Sequence, residues 1–158
     1  MTPSFCLPER TQWLRHWSAL PASATKALAN QLSSQHHVED LALPQSGLGL
    51  LPVLDSALGD TYYIGEIPLA YAHVRITTAQ GEHGEGAAAL VDDRASVARA
   101  LAILDAVVAA RLPGSDAAIQ LLEQGAAKIS DQDQQRRALL AATRVDFSLL
   151  GAEGDDDE

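Results

Sequence analysis

The sequence has a single cysteine, Cys6, and lacks any long apolar run. One cysteine excludes an internal disulfide and is too few to hold an iron–sulfur cluster alone. No apolar stretch approaches the ~20 residues that span a bilayer. The first residues also lack the basic and long apolar regions of a signal peptide. These absences predict a cytoplasmic protein that does not cross a membrane.

Positive charge is also scarce, because 11 Lys and Arg residues face 21 Asp and Glu residues and give a net charge of −10. Nucleic-acid binding requires clustered Lys and Arg, so nucleic acid is not an expected partner. Half of the net charge comes from five acidic residues in the last eight, residues 151–158. We interpret this segment as an acidic disordered tail, with binding to a basic groove of a partner as the alternative.

Apolar residues are plentiful at 47% of the 158 residues, and charged residues make up 20%. A chain of this size can bury roughly 70% of its unfolded surface in one core. We therefore predict a single domain over residues 1–150, followed by the acidic tail.

Two short helices are predicted at the start of the chain. Trp13, Trp17 and Leu20 recur at helical spacing between Pro8 and Leu20. Pro21 suits the start of a second helix that runs toward Gln35. The two helices would form an N-terminal helical hairpin.

Short apolar runs separated by Gly, Pro and Asp follow from Val38 and predict strands. Residues 62–76 are interpreted as two strand pieces broken near residues 65–68. In the second piece, alternation places Leu69, Tyr71, His73 and Arg75 on one face of a half-buried strand, opposite a row of apolar residues. The short links predict three to four strands, mostly antiparallel.

The last third of the chain is predicted to be helical. Asp92 or Asp93 would cap a helix to about Arg111, and Ser115 or Asp116 would cap the next. That second helix is expected to break at residues 130–133, before a last helix. The fold class is therefore α+β, with the helical hairpin, then the sheet, then C-terminal helices packed on one face.

Candidate chemistry is sparse, and no catalytic residue or metal site is predicted. His36, His37, Glu39 and Asp40 could each ligate a metal, but adjacent residues diverge and a solvated junction is the favoured interpretation. His73 and Arg75 project together from one strand face. We expect a surface or interface pair. The alternatives are that His73, Arg75 and Glu66 contribute to a composite site shared with a partner, or that they bind or hydrolyse a phosphorylated small molecule in this chain alone.

Five short motifs of the chain occur together in one known family. They are "RHWSAL", "QSGLGLLPV", "GDTYYIGEIPLAYAHVRI" (residues 59–76), "ARALAILDAV" and "ATRVDF" (residues 142–147). In order, they resemble an N-terminal Trp helix, a first hairpin, a glycine with an aromatic pair and a following strand, a helix after the sheet, and a C-terminal motif. The family with these features is that of the G subunits of the bacterial phosphonate carbon–phosphorus lyase system, the PhnG family. The family often has a second Phe and a different ending, and a Tyr where this chain has Ala87.

The resemblance implies a role in a core complex for alkylphosphonate catabolism. In that complex methylphosphonate displaces adenine from MgATP and gives α-D-ribose 1-methylphosphonate 5-triphosphate. The family implies that the I subunit carries this nucleosidase-type chemistry and that the J subunit later cleaves the carbon–phosphorus bond. The expected partners are the I, H, J and L subunits, chiefly I. This chain would bind no cofactor alone and would be accessory, with self-association in isolation.

An apolar stretch directly precedes the acidic tail, which suggests that its side chains dock into a neighbouring subunit. The alternative is that Phe147 folds back onto this chain's own helices. The predicted docking residues are Trp17, Arg144, Val145, Asp146, Phe147, Leu149 and Leu150.

Overall fold

The computed structural model describes residues 6–143 of the chain. Two helices lead into a sheet and two further helices follow it, so the predicted α+β class and order of elements are confirmed. No helix among these residues has the length and apolar character that crossing a membrane requires. The elements are α1 (Arg10–Ser18), α2 (Ala22–Gln35), β1 (His37–Leu54), β2 (Thr61–Thr77), β3 (His83–Leu90), α3 (Ala95–Ala109) and α4 (Ser115–Ala142).

The sheet has the order β1-β2-β3 and is antiparallel throughout, as predicted. The expected break near residues 65–68 is wrong, because β2 is continuous from Thr61 to Thr77. Pro68 lies two residues before Ala70, the first residue of β2 that pairs with β3. The missing N–H of Pro68 can therefore face the side of β2 that has no neighbouring strand, where it costs no ladder hydrogen bond.

Helix α3 covers the inner face of the sheet. The predicted alternation in β2 is confirmed, because Ala70, Ala72, Val74 and Ile76 are buried against it. Gly86 of β3 faces the same helix, and a Cβ there would overlap the backbone of Ala102 and Ala106. The small residues of β3 thus let the helix and the sheet approach closely.

Helix α4 packs against α1 and α3 in the layer behind the sheet. The break expected at residues 130–133 is wrong, because α4 is one helix over Ser115–Ala142. Ser and Asp cost at most about 0.7 kcal/mol each in an exposed helix, which is less than interrupting a helix and nucleating another. The predicted capping residues are wrong, because the N-caps are Arg94 for α3 and Gly114 for α4, and neither has a side-chain capping hydrogen bond.

Trp17 is a core residue, so its predicted role in docking a partner is wrong. Its side chain is fully buried, and its indole Nε1 donates a hydrogen bond to the Ala118 carbonyl oxygen of α4 at 3.1 Å. Trp13, one helical turn earlier, packs edge-on against it with ring centroids 6.1 Å apart. Both rings point inward because residues four apart share one helix face.

Candidate functional site

The hairpin of β1 and β2 extends well beyond the third strand. β3 pairs with β2 only from Ala70 to Thr77, whereas β1 and β2 stay paired out to Leu54 and Thr61. We call residues 47–69, the part of this hairpin without a third strand, the arm. A two-stranded hairpin without further packing is marginally stable in water, so the arm depends on its attachment to the sheet or on a partner.

The turn that ends the arm is held by Asp55. Its carboxylate Oδ1 accepts a hydrogen bond from the Ala57 N–H at 2.7 Å, and its own N–H donates to the Asp60 carbonyl oxygen at 2.8 Å. Gly59 has φ +73°, which glycine adopts without strain. These contacts give the arm a defined end.

Large apolar side chains are exposed along the whole arm. Their exposed fractions run from 40% at Leu51 to 77% at Leu58. A contiguous exposed apolar surface of this kind marks a protein interaction site more often than a plain solvent-facing surface. The large exposed apolar residues of the arm are Leu48, Leu50, Leu51, Leu54, Leu58, Tyr62, Tyr63, Ile64 and Leu69.

The strands of the arm could be predicted from the sequence, but the role of the arm as a binding surface was missed. A signal was present, because "GLGLLPVL" and "TYYI" lack the polar residues that alternate along a strand with one face in solvent. Such runs also suit a strand that is buried on both faces within its own chain. The structure decides between the two, because β3 is too short to reach the arm and no other part of residues 6–143 covers these runs.

His73 and Arg75 do come together on the outer face of the sheet, where Glu85 of β3 joins them. The Arg75 guanidinium donates to Glu85 Oε1 from Nη2 at 2.6 Å and from Nε at 3.0 Å. Its Nη1 reaches Glu39 at 3.4 Å, and His73 Nε2 lies 3.5 Å from Glu85 Oε2. We call these four residues the His73 cluster.

The His73 cluster is exposed, and its one arginine is paired with two carboxylates. The hydrogen bond from Arg75 lowers the pKa of Glu85, and the same bond raises the pKa of Arg75. Its charged atoms lie at the surface. Catalytic groups are usually found in a cleft, where burial shifts their pKa values. The arrangement fits a surface pair better than a reaction centre.

Glu66 is not brought to His73 and Arg75. It lies seven residues before His73 on β2 and pairs with Leu50 inside the arm. At about 3.3 Å per residue along a strand, the two Cα atoms are roughly 23 Å apart. A site that uses all three side chains of this chain is therefore not formed.

Three of the four residues first considered for metal binding have other partners. Asp40 Oδ1 accepts a hydrogen bond from Arg99 Nε at 2.7 Å, and His36 Nε2 lies 3.0 Å from the Pro113 carbonyl oxygen. Glu39 belongs to the His73 cluster. Within residues 6–143, no three or more His, Cys, Asp or Glu side chains are grouped so as to hold a metal ion.

The predicted C-terminal docking residues lie outside the described residues. They are Arg144, Val145, Asp146, Phe147, Leu149 and Leu150, and their docking role stays a prediction. The acidic tail, residues 151–158, also lies outside them.

The described residues define an α+β protein with a small antiparallel sheet, buried central helix α3 and a protruding apolar arm suited to binding another protein. The chain matches the family model described as phosphonate metabolism protein PhnG over residues 8–151, and it belongs to that family. It is also 33% identical over 108 residues to "Alpha-D-ribose 1-methylphosphonate 5-triphosphate synthase subunit PhnG" of Rhizobium meliloti (strain 1021). The match covers 68% of this chain and 65% of that relative, slightly under two thirds of its length.

Proposed function

We propose that this protein is an accessory subunit of a cytoplasmic complex that makes α-D-ribose 1-methylphosphonate 5-triphosphate. In the proposed reaction, methylphosphonate displaces adenine from MgATP at the ribose C1 carbon. The reacting groups and the MgATP site belong chiefly to the I subunit, to which this chain binds. The name of the Rhizobium meliloti relative, a subunit of that synthase, and membership of the family support the proposal.

The apolar arm is the observation that carries the proposal. Burying a large apolar side chain contributes roughly 1.5–3 kcal/mol relative to full exposure. Several such side chains on the arm can offset much of the 4–15 kcal/mol or so that association costs. A chain that acted alone would gain nothing from exposing them and would aggregate more readily.

The His73 cluster supports an accessory rather than an independent catalytic role. Arg75 is held by Glu85 and Glu39, so its charge is already neutralised within the chain. A phosphate group would have to compete with both carboxylates for the guanidinium. In the complex, a partner that moved Glu85 away could still recruit Arg75 to a shared phosphate site, so this residue remains a candidate contributor together with His73.

Reconstitution tests the proposal. The chain is co-expressed with I, H and L subunits of the same family of complexes, and the complex is isolated by size exclusion. We expect the four to elute together and to release adenine from MgATP only when methylphosphonate is present. The isolated chain should release none. Adenine release at the full rate by the other subunits without this chain, or elution of this chain apart from them, would contradict the proposal.

The C-terminal motif provides a second contact to test in the same complex. We expect Phe147→Ala to lower the yield of co-purified I subunit, because the sequence predicts that this ring docks into a neighbour. Phe147→Leu, which keeps most of the apolar volume, is the matched control. Full recovery of the partner with Phe147→Ala would remove Phe147 from the interface.

A further inference from the structure

The arm is apolar on both of its faces. Alternation along β1 places Leu48, Leu50 and Leu54 on the face that continues the helix-covered side of the sheet. The pairs Gly47–Leu69 and Val53–Tyr62 place Leu69 and Tyr62 on the opposite face. Side chains on both faces are at least 40% exposed. A partner with a flat surface could cover only one of the two.

The edges of the arm are poorly suited to pairing with a further strand. β1 contains Pro52 within the arm and Pro44 just before it, and its pairing with β2 is interrupted within the arm between Leu50 and Pro52. β2 contains Pro68 within the arm. Prolines and bulges of this kind block strand addition at sheet edges. The side chains of the arm, rather than its backbone, are therefore the groups that a partner can contact.

The charges of the arm have one sign. Asp55, Asp60 and Glu66 are its only ionisable acidic or basic side chains other than tyrosine, and it has no Lys, Arg or His. Asp55 is used in the turn, which leaves Asp60 and Glu66 to face a partner. A second copy of this chain would bring the same acidic groups and a net charge of −10. Like charges at an interface are unfavourable, so the arm is better matched to a different chain.

We propose that the arm inserts into an apolar cleft of a different subunit, which contacts both of its faces and places Lys or Arg side chains near Asp60 and Glu66. This inference rests on the proposed function, because it takes the partner from the same synthase complex. A two-stranded ribbon is narrow enough to enter a cleft, because its two strands lie only about 4.8 Å apart. The cleft removes from water the apolar side chains that one surface would leave exposed.

Site-specific photo-crosslinking in the co-purified complex tests the cleft. p-Benzoylphenylalanine is placed at Leu50 on one face, at Tyr62 on the other, and at the exposed Gln31 of α2 as a control. We expect Leu50→p-benzoylphenylalanine and Tyr62→p-benzoylphenylalanine to crosslink to the same subunit, each at least ten-fold above the Gln31 variant. Mass spectrometry of the crosslinked band identifies the partner and its contacted residues.

The other outcomes separate this inference from the proposed function. Crosslinks from one face only would overturn the cleft and indicate docking on a flat surface. Crosslinks to a second copy of this chain would overturn the choice of a different subunit. An intact complex with no crosslink from either face would exclude the arm as an interface while leaving subunit membership standing. Failure of the unmodified chain to form any complex would overturn both.

Charge reversal tests the chemistry of the cleft separately. We expect the double variant Asp60→Lys and Glu66→Lys to lower the recovered partner at least ten-fold, and the neutral pair Asp60→Asn and Glu66→Gln to lower it less. Both acidic side chains lie in an exposed part of the hairpin, so thermal unfolding of the free chain provides the folding control. Equal recovery of the partner with the lysine pair would overturn the basic lining of the cleft.

Discussion

Asp105 of α3 accepts two hydrogen bonds from Arg10 of α1, which lies 95 residues earlier in the chain. Arg10 Nε donates to Oδ1 at 2.9 Å and Nη2 to Oδ2 at 2.7 Å. The Ala87 N–H, on the free edge of β3, donates to Oδ2 at 3.1 Å, while Arg10 Nη2 also reaches the Glu85 carbonyl oxygen. The Arg10–Asp105 pair therefore links α1 and α3 to β3. It also hydrogen-bonds to backbone groups on the edge of β3 that has no neighbouring strand.

Replacing Arg10 with Met should destabilise the fold by about 1–3 kcal/mol, because a buried carboxylate loses its charged partner. The side chain of Asp105 is only 7% exposed, so water replaces the guanidinium poorly. Urea unfolding monitored by tryptophan fluorescence measures the change. Arg15→Met on the same helix is the matched control, since Arg15 is exposed and forms no ion pair within residues 6–143. It should stay within about 0.5 kcal/mol of the parent, and equal losses from both variants would contradict the role given to Asp105.

Gly86→Ala should cost about 1–3 kcal/mol or more, because the added methyl group meets the backbone of α3, which cannot rotate away. The contacts would involve the Ala102 carbonyl oxygen and the Ala106 nitrogen. Gly65→Ala is the control, since a Cβ at Gly65 meets nothing within 4 Å. Denaturant midpoints of the two variants provide the comparison. A Gly86→Ala protein as stable as the Gly65→Ala protein would mean that α3 does not lie as close to β3 as described.

Exposed leucines of the arm should contribute little to the stability of the isolated chain. We expect Leu48→Ser and Leu50→Ser each to change the unfolding free energy by less than about 0.5 kcal/mol, as for other surface positions. Leu104→Ala in the core should cost about 2–5 kcal/mol, because it removes fully buried methyl groups. Calorimetry of the purified variants measures both. A core-sized loss at Leu48 or Leu50 would mean that the free chain already buries the arm.

The order of elements and the buried face of β2 could be predicted because both follow from local patterns. Apolar residues recur at every second position from Leu69 to Ile76 and every three to four positions in α3. Both spacings can be read directly from the sequence. Trp17 could not be assigned in this way, because an amphipathic helix shows which residues are apolar but not whether its own chain or a partner covers them. The arm was missed for the same reason. Its exposure depends on where β3 ends, which is a property of pairing between distant residues.

Asp92 provides a pH-dependent prediction at the start of α3. Its carboxylate accepts hydrogen bonds from the Arg94 guanidinium and the Arg94 N–H, which lower the pKa of Asp92 from 3.8 to about 2. A lowered folded-state pKa stabilises the fold above the unfolded pKa, and that contribution is lost as pH falls through the folded pKa. The parent should thus be more stable than Asp92→Asn at pH 7, and the difference should vanish between about pH 4 and pH 2. Asp93→Asn is the control, and a difference independent of pH would contradict the assignment.

Ligand-binding experiments on Arg75 distinguish an accessory subunit from an independent ligand-binding protein. Its guanidinium is held by Glu85 and Glu39 in the free chain, so we expect no change in the thermal midpoint with MgATP, ribosyl triphosphates or methylphosphonate. Glu85→Gln frees most of that charge and should create weak, salt-sensitive binding of these anions, because screening acts strongly on exposed charges. Arg75→Gln in the Glu85→Gln background should abolish it. A midpoint shift in the parent chain that Arg75→Gln removes would instead favour a phosphate site in this subunit alone, and the two carboxylates would then have to move aside when the ligand binds.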